Sequence, residues 1–267
     1  MNNLIRSSTK LAGTLAACTA LPAAGAVLML DFGPTVAAGG SLTNSPYHTE
    51  DSSFTDSTWN TIGLADEVSL FYADGSSATG VALDLGSVVG GSTIDLSDQP
   101  GKTNALGSAT FTGVYSGTSV GKDGIFDGNA GNATRVGAQI TGLDAGIYDV
   151  FVTARNTNVG DSSHTTTTFV GAGVAGVDYD SALYSSQSLT YPSFSSFTAD
   201  WVDGENYVKQ TVTVMPGEAI NIAVAGTPTA DRGFLNSIQI VLVPEPASLA
   251  LVACGVLALA IRDRRVH

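Results

Sequence analysis

YVKQTVTVMPGEAINIAV, residues 207–224, decides the fold. Side chains alternate across an extended chain, so Val208, Val212 and Val214 share one face while Lys209, Thr211 and Thr213 take the other. Pro216-Gly217 turns the chain. Ile220, Ile222 and Val224 then resume the alternation. A period of two with β-branched residues on one face predicts a pair of half-buried strands.

The same signature recurs on either side. Residues 135–140 and 147–154 read as strands joined by the tight Gly142-Leu143-Asp144-Ala145-Gly146, and Tyr148, Val150, Val152 and Ala154 share a face. Near the end of the acidic part, GFLNSIQIVLV (233–243) sets Ile238, Ile240 and Leu242 in phase. At its start, VLMLDFG (27–33) is a short buried strand closed by Gly33-Pro34. Residues 68–73 and 79–85 are strand candidates around an Asp74-Gly75 turn, and 109–115 is another. Residues 35–56 read as a long exposed loop and 161–168 as a polar, weakly structured stretch. Nothing in 27–243 sustains a 3.6-residue apolar stripe. About eight to eleven short strands between Gly, Pro and Asp-Gly turns predict an all-β, antiparallel β-sandwich, jelly-roll-like in form. The first and last strands are among the most apolar and are expected to pair within one sheet.

Both ends differ in kind from this middle. Residues 1–26 carry Arg6 and Lys10, then a small-apolar run ending at Pro22, then Ala24-Gly25-Ala26. That is the layout of a secretory signal peptide, with cleavage by signal peptidase expected between Ala26 and Val27. Leu15-Ala16-Ala17-Cys18 is a rival lipobox, although only a short core separates Lys10 from Cys18. At the other end stand Pro244-Glu245-Pro246, the apolar run 247–261, and a basic terminus with Arg262, Arg264 and Arg265. The proline pair holds the chain extended. The run would make a single hydrophobic helix of about 22 Å, short for a bilayer core of about 30 Å. The arginines favour the cytoplasmic side. Domain organisation is therefore 1–26, 27–243 and 244–267.

Of 11 Lys and Arg residues, two lie in 1–26 and three in 244–267; of 24 Asp and Glu residues, Glu245 and Asp263 lie in the tail. The middle keeps six cations and 22 acids, a net charge near −16, which argues against nucleic acid or an anionic membrane surface as partner. The two cysteines, Cys18 and Cys254, both fall outside 27–243. The middle must therefore be held by its core, without disulfides or thiol chemistry.

Candidate chemistry is sparse. His48 and His164 sit in polar Ser/Thr stretches and read as exposed loop histidines, and no Gly-x-Ser-x-Gly elbow occurs. Asp123, Asp127 and Asn129 occupy a glycine- and acid-rich stretch read as a loop, a candidate Ca²⁺ site because that ion takes clustered oxygen ligands on a sharply turning backbone. Tyr47, Trp59, Tyr191 and Trp201 lie in or beside polar segments and are the candidate ligand-stacking aromatics. No catalytic residue is assigned, and the domain is expected not to be an enzyme.

The tail, with its Pro-Glu-Pro, helix and basic end in that order, resembles the PEP-CTERM sorting signal of Gram-negative bacteria. The resemblance implies recognition by an exosortase, a membrane-anchored intermediate at the inner membrane, removal of the tail, and delivery to the outer envelope, cell surface or extracellular matrix. A second resemblance rests on Leu30-Asp31-Phe32-Gly33, Trp59-Asn60, Gly-Leu-Asp-Ala-Gly-x-Tyr-x-Val (142–150) and Gly-Phe-Leu-Asn-Ser-Ile-Gln-Ile (233–240). It is similar to the galactose-binding-like jelly rolls, which implies a sandwich able to bind glycan, with exopolysaccharide as the partner. The leading expectation is a non-enzymatic glycan-binding or surface structural β-sandwich. The alternatives are a carbohydrate-active hydrolase using paired carboxylates and a purely structural matrix or adhesion protein.

Overall fold

The computed structural model describes residues 26–34, 45–54, 58–105, 114, 120–128, 133–156, 164–191, 200–227 and 232–244. All of them fall in one compact unit, Gly25–Pro244. The signal peptide up to residue 25, the rival Cys18, the apolar run 247–261 and Arg262, Arg264 and Arg265 lie outside the described residues, as do Ala24, Glu245 and Pro246. Among the described residues no helix is long and apolar enough to cross a membrane.

Fifteen strands are found among these residues. They are β1 (Val27–Phe32), β2 (Asn60–Ile62), β3 (Ala82–Val89), β4 (Thr93–Ile94), β5 (Lys102–Ala105), β6 (Asp123–Phe126), β7 (Thr134–Thr141) and β8 (Gly146–Thr153). There follow β9 (His164–Val174), β10 (Tyr179–Asp180), β11 (Ser185–Tyr191), β12 (Val208–Val214), β13 (Glu218–Thr227), β14 (Phe234–Leu235) and β15 (Ser237–Leu242). Among the described residues the helical elements include one short α-helix, α1 (Pro46–Glu50), and a 3₁₀ turn at Ser181–Leu183. Sheet A runs β12-β8-β15-β1-β2 and sheet B runs β11-β9-β13-β7-β3. Two small additions, β14-β6-β5 and β10-β4, complete the sheets. From β7 to β13 the chain passes repeatedly between the two large sheets, so neither sheet is complete until nearly the whole chain is placed.

The sheets face one another through a single apolar layer. Leu28, Leu30, Val150, Val152, Ile238 and Ile240 of sheet A meet Leu83, Leu85, Val136, Ile140, Ile220, Ile222 and Val224 of sheet B. These are the in-phase positions of the alternation. The first and last strands pair as expected, antiparallel, with Val27 opposite Val241 and Asp31 opposite Ser237. One pairing departs from a wholly antiparallel sandwich, since β2 adds to β1 in parallel. Asn60 fastens that edge. Its Nδ2 donates to the Met29 and Phe71 carbonyls, and its Oδ1 accepts from the Phe71 amide.

Three stretches differ from the sequence reading. The polar run 161–168 supplies the start of β9, an 11-residue strand. Thr166 and Thr168 are its inward residues, and a β-branched hydroxyl tolerates that place once it is bonded, as Thr166 Oγ1 is to the Ala154 carbonyl at 2.8 Å. Residues 68–73 make only isolated bridges, Leu28 to Tyr72 and Phe71 to Ser77, with Val68 left exposed. In the long loop 35–56, residues 45–54 form α1 and its flanks and pack on sheet A, while 35–44 lie outside the described residues.

The outward faces of the two sheets are both covered, by different means. Sheet A turns Val27, Met29, Phe151 and Val241 outward into a second core with Trp201, Tyr207, Tyr191 and Leu189, against which Tyr47, Phe54 and Trp59 pack. Gln239 ties the 45–54 segment down, accepting from the Tyr47 amide at 3.0 Å and donating to Ser45 Oγ at 3.0 Å. At the rim, Lys209 Nζ meets Glu50 at 2.5 Å and Asp149 at 3.2 Å. Sheet B instead turns Gly137 and Gly171 outward. A methyl group at Gly137 would stand 2.4 Å from Tyr179 Oη, and one at Gly171 would stand 2.2 Å from the Tyr184 ring. Glycine inside a strand marks such a close approach. Tyr179 then donates across the sheet to the Ile222 carbonyl at 2.6 Å.

Candidate functional site

The four aromatics singled out from the sequence converge on one core. Tyr191 is 0% and Trp201 3% exposed, and both join Phe151 and Tyr207 beneath the 45–54 segment. Tyr47 and Trp59 are half-buried against the same cluster, and Tyr47 lies 5.6 Å from the Phe151 ring. As placed, Tyr191 and Trp201 present no ring face to solvent. The reason is the outward-facing Phe151 and Met29, which demand an apolar cover. Trp59 alone of the four borders a hollow, of about 240 Å³, together with Glu67, Ser69 and Phe71.

The acidic stretch 123–129 begins as strand β6, not as the loop expected of it. Asp123 is fully buried at the start of β6, and Asp127 follows the strand's last residue, Phe126. Asp127 is otherwise engaged, accepting from Ser87 Oγ at 3.2 Å and from the Gly101 amide at 3.3 Å. Asn129 lies outside the described residues, and among these no three His, Cys, Asp or Glu side chains gather as a metal-holding group. The histidines are not exposed loop residues either. His164 is buried at the start of β9, stacked 5.3 Å from Tyr191, with Nε2 accepting the Asn156 amide at 3.1 Å. His48 is half-buried in α1, its Nδ1 2.5 Å from the Phe54 carbonyl.

A larger hollow lies elsewhere, on the outward face of sheet B. Its floor is a cross-strand row. Thr167 of β9 stands opposite Ala225 of β13, and Ala225 opposite Arg135 of β7. One row along, Phe169 stands opposite Ala223. The small residues Ala225 and Gly226 in the middle strand leave a depression, and Gly90, Gly91 and Ser92 after β3 wall one side of it. The resulting groove has a volume of about 540 Å³, within the range of small-ligand sites.

Three kinds of residue line this groove. Phe169 supplies an aromatic ring, with the Arg135 guanidinium 4.7 Å above its centroid. Ser92 and Thr167 supply hydroxyls at the lining, whereas the buried Thr134 Oγ1 donates to the Asp127 carbonyl at 2.9 Å. Gly90, Gly91 and Gly226 add no side chain to the lining, and the Gly90 amide donates to the Ala133 carbonyl at 2.8 Å. Arg135 is held in place through Ser181, whose Oγ accepts from Nη1 at 2.6 Å and donates to the Ser92 carbonyl at 2.8 Å. Burial lowers its guanidinium from the ordinary value, and the field of Asp180 partly offsets this. Beyond the groove the outward faces of β9 and β11 carry paired hydroxyls. Thr167 Oγ1 lies 2.8 Å from Ser188 Oγ, and Thr165 Oγ1 2.9 Å from Thr190 Oγ1. The sequence held no signal for this groove beyond the alternation itself, because Arg135, Thr167 and Phe169 come together only through strand register.

The motifs behind the jelly-roll resemblance are joints, not contacts. Asn236 receives the Arg155 amide on Oδ1, donates through Nδ2 to the Asp123 carbonyl, and accepts the Phe32 amide on its own carbonyl at 2.8 Å. Gly33 lies against the Asp123 carboxyl, where a methyl group would come within 2.5 Å. Leu-Asp-Phe-Gly and Phe-Leu-Asn-Ser thus lock β1, β6, β8 and β15 together at one end.

Residues 242–265 match the PEP-CTERM protein-sorting motif. That match marks the chain as an exosortase-sorted cell-surface protein. No curated protein matches the chain in sequence. Among solved structures, the chain is weakly similar to TmCBM61, solved in complex with β-1,4-galactotriose, at 10% identity and a TM-score of 0.32, covering 60% of this chain and 88% of that one. It is also weakly similar to an exo-β-1,3-galactanase from Phanerochaete chrysosporium, solved with galactose, at 14% identity and a TM-score of 0.26. There it covers 71% of this chain and 35% of the other.

Proposed function

We propose that the exported domain is a non-enzymatic glycan-binding module of the cell surface, and that the groove on the outward face of sheet B holds the sugar. The observation that carries this reading is the juxtaposition of Phe169, Arg135 and the Ser92 and Thr167 hydroxyls around a hollow of about 540 Å³. A sugar ring offers apolar C–H faces and a rim of hydroxyls. The first suit an aromatic ring, and the second suit hydroxyls and a guanidinium fork. The hydroxyl pairs on β9 and β11 extend the same polar surface along the sheet, which fits a chain longer than one residue. Against catalysis stands the lining itself. Among the described residues no carboxylate or histidine borders the groove, whereas glycoside hydrolysis uses two carboxyl groups. Delivery by the sorting tail puts the module where polysaccharide is encountered.

The test is affinity electrophoresis of the detergent-solubilised full chain through gels containing neutral or acidic polysaccharides. Retardation in at least one polysaccharide, abolished by Phe169→Ala without change in unfolding temperature, is the expected result. Migration unaffected by every polysaccharide overturns glycan binding in favour of a purely structural surface protein.

A further inference from the structure

The groove's charge is opposite to that of the domain around it. Acids outnumber cations 22 to six over residues 27–243, and yet among the described residues no Asp or Glu lines the groove, while Arg135 does. Other cations in this part of the chain are occupied differently. Lys209 forms ion pairs with Glu50 and Asp149, and Lys102 donates to the Gly128 carbonyl. Arg135, half-buried, forms no ion pair among the described residues, and its hydrogen bond goes to a neutral hydroxyl, Ser181 Oγ. Asp180 is the nearby acid and attracts Arg135 through its field, but its carboxylate takes hydrogen bonds from the Ser92 side chain and, at 3.0 Å, from the Ala182 amide at the start of the 3₁₀ turn. A half-buried guanidinium with spare donors, and no carboxylate within ion-pair distance among the described residues, is poised for one from outside, since the Arg fork matches a carboxylate in two parallel bonds.

On the basis of the glycan-binding reading, we infer that the groove selects an acidic glycan, with the carboxylate of a hexuronic acid residue meeting Arg135 while the ring lies beside Phe169 and its hydroxyls reach Ser92 and Thr167. Phe169 serves the sugar ring whatever its charge. Arg135, backed by Ser181, reads the acid. The surrounding negative field repels any polyanion at long range, so affinity rests on the local pairing. Such a pairing weakens with salt only to the extent that the site is open to solvent.

The deciding experiment is a binding titration of the full chain in detergent with three probes of matched length: an oligogalacturonide, its methyl-esterified form, and a neutral galacto-oligosaccharide. Arg135→Gln and Arg135→Lys are run beside the native protein, with unfolding temperature monitored because Arg135 also packs on Phe169. Native protein binds the oligogalacturonide at least about tenfold more tightly than either neutral probe, a difference of about 1.4 kcal/mol. Arg135→Gln removes that preference, leaving the neutral probes unchanged, and Arg135→Lys restores part of it. Equal affinity for all three probes, or a preference that survives Arg135→Gln at an unchanged unfolding temperature, overturns the acid selectivity and leaves glycan binding standing. Binding of none of the three probes overturns the selectivity. Whether glycan binding also falls is then decided by the electrophoresis panel above.

Discussion

Sheet A turns Val27, Met29, Phe151 and Val241 outward, whereas sheet B turns Gly86, Gly137, Gly171 and Ala223 outward. The first set is large and apolar, so it must be roofed, and the roof consumes Tyr47, Phe54, Trp59 and Trp201. The second set is small, so two tyrosines can lie directly on it, and the cover stops short at Arg135 and Phe169. An aromatic near a polar loop is therefore core on one face of this sandwich, while a single phenylalanine mid-strand is surface on the other. What decides between them is the size of the residues on the outward phase of the neighbouring strands.

The largest effects are expected from breaking the roofed face. Phe151→Ala and Trp201→Ala each remove a large ring from the second core and should lower stability by about 3–5 kcal/mol, measured by thermal unfolding. An unfolding temperature within a degree or two of the native value would mean that the 45–54 segment does not seal sheet A. Next come the glycine seats. Gly171→Ala drives a methyl group to 2.2 Å from the Tyr184 ring, so the ring must move, at about 1–3 kcal/mol. A neutral outcome would show that Tyr184 is not seated on the strand.

Alkaline titration sharpens the same comparison from inside. Burial raises Tyr148 from 10.0 to about 12, and raises Tyr179 and Tyr207 too. For a tyrosine held protonated by folding, the unfolded chain loses its proton first. The contribution is therefore full below pH 10 and falls as pH rises through about 12. Phenolate absorbance from these three should thus appear together with unfolding, and a smooth rise near pH 10 without loss of structure would place them in solvent. The smallest effect belongs to the rim. Glu50→Gln breaks the contact with Lys209 and should cost about 1 kcal/mol or less, as half-exposed ion pairs do. Faster proteolytic cleavage within 45–54 with groove binding unchanged is the outcome expected; slower or equal cleavage would remove the rim from the account.

Much of this architecture was legible before any coordinates. The alternation in 207–224 and 147–154 gave β12 and β8 within a residue or two and the inward phase of β13, and the apolar first and last strands do pair. Asp74-Gly75 is a turn, with Ser76 donating to Asp74 through both its amide and hydroxyl. Strand β9 was hidden because its inward residues are Thr166 and Thr168, which composition reads as polar. The short helix was hidden because Pro-Tyr-His-Thr-Glu has no period to detect in five residues. The groove was hidden for a different reason. Arg135, Thr167 and Ala225 are neighbours by register alone, and register is a tertiary property that the hydrophobic pattern constrains to one face without naming the partner.

The central claim is that recognition belongs to sheet B and not to the aromatics around the roofed face. Parallel isotherms for native protein, Phe169→Ala, Trp59→Ala and Phe71→Ala, each against the polysaccharide most strongly retained in electrophoresis, test it most directly. Phe71 is a surface residue of the smaller hollow beside Trp59 and serves as the control for that site. The account predicts a loss of about tenfold or more for Phe169→Ala, with native-like affinity for Phe71→Ala and for whatever fraction of Trp59→Ala remains folded. Loss of affinity on Trp59→Ala and Phe71→Ala, with Phe169→Ala binding as the native protein does, would contradict it and move the site to the hollow beside β2.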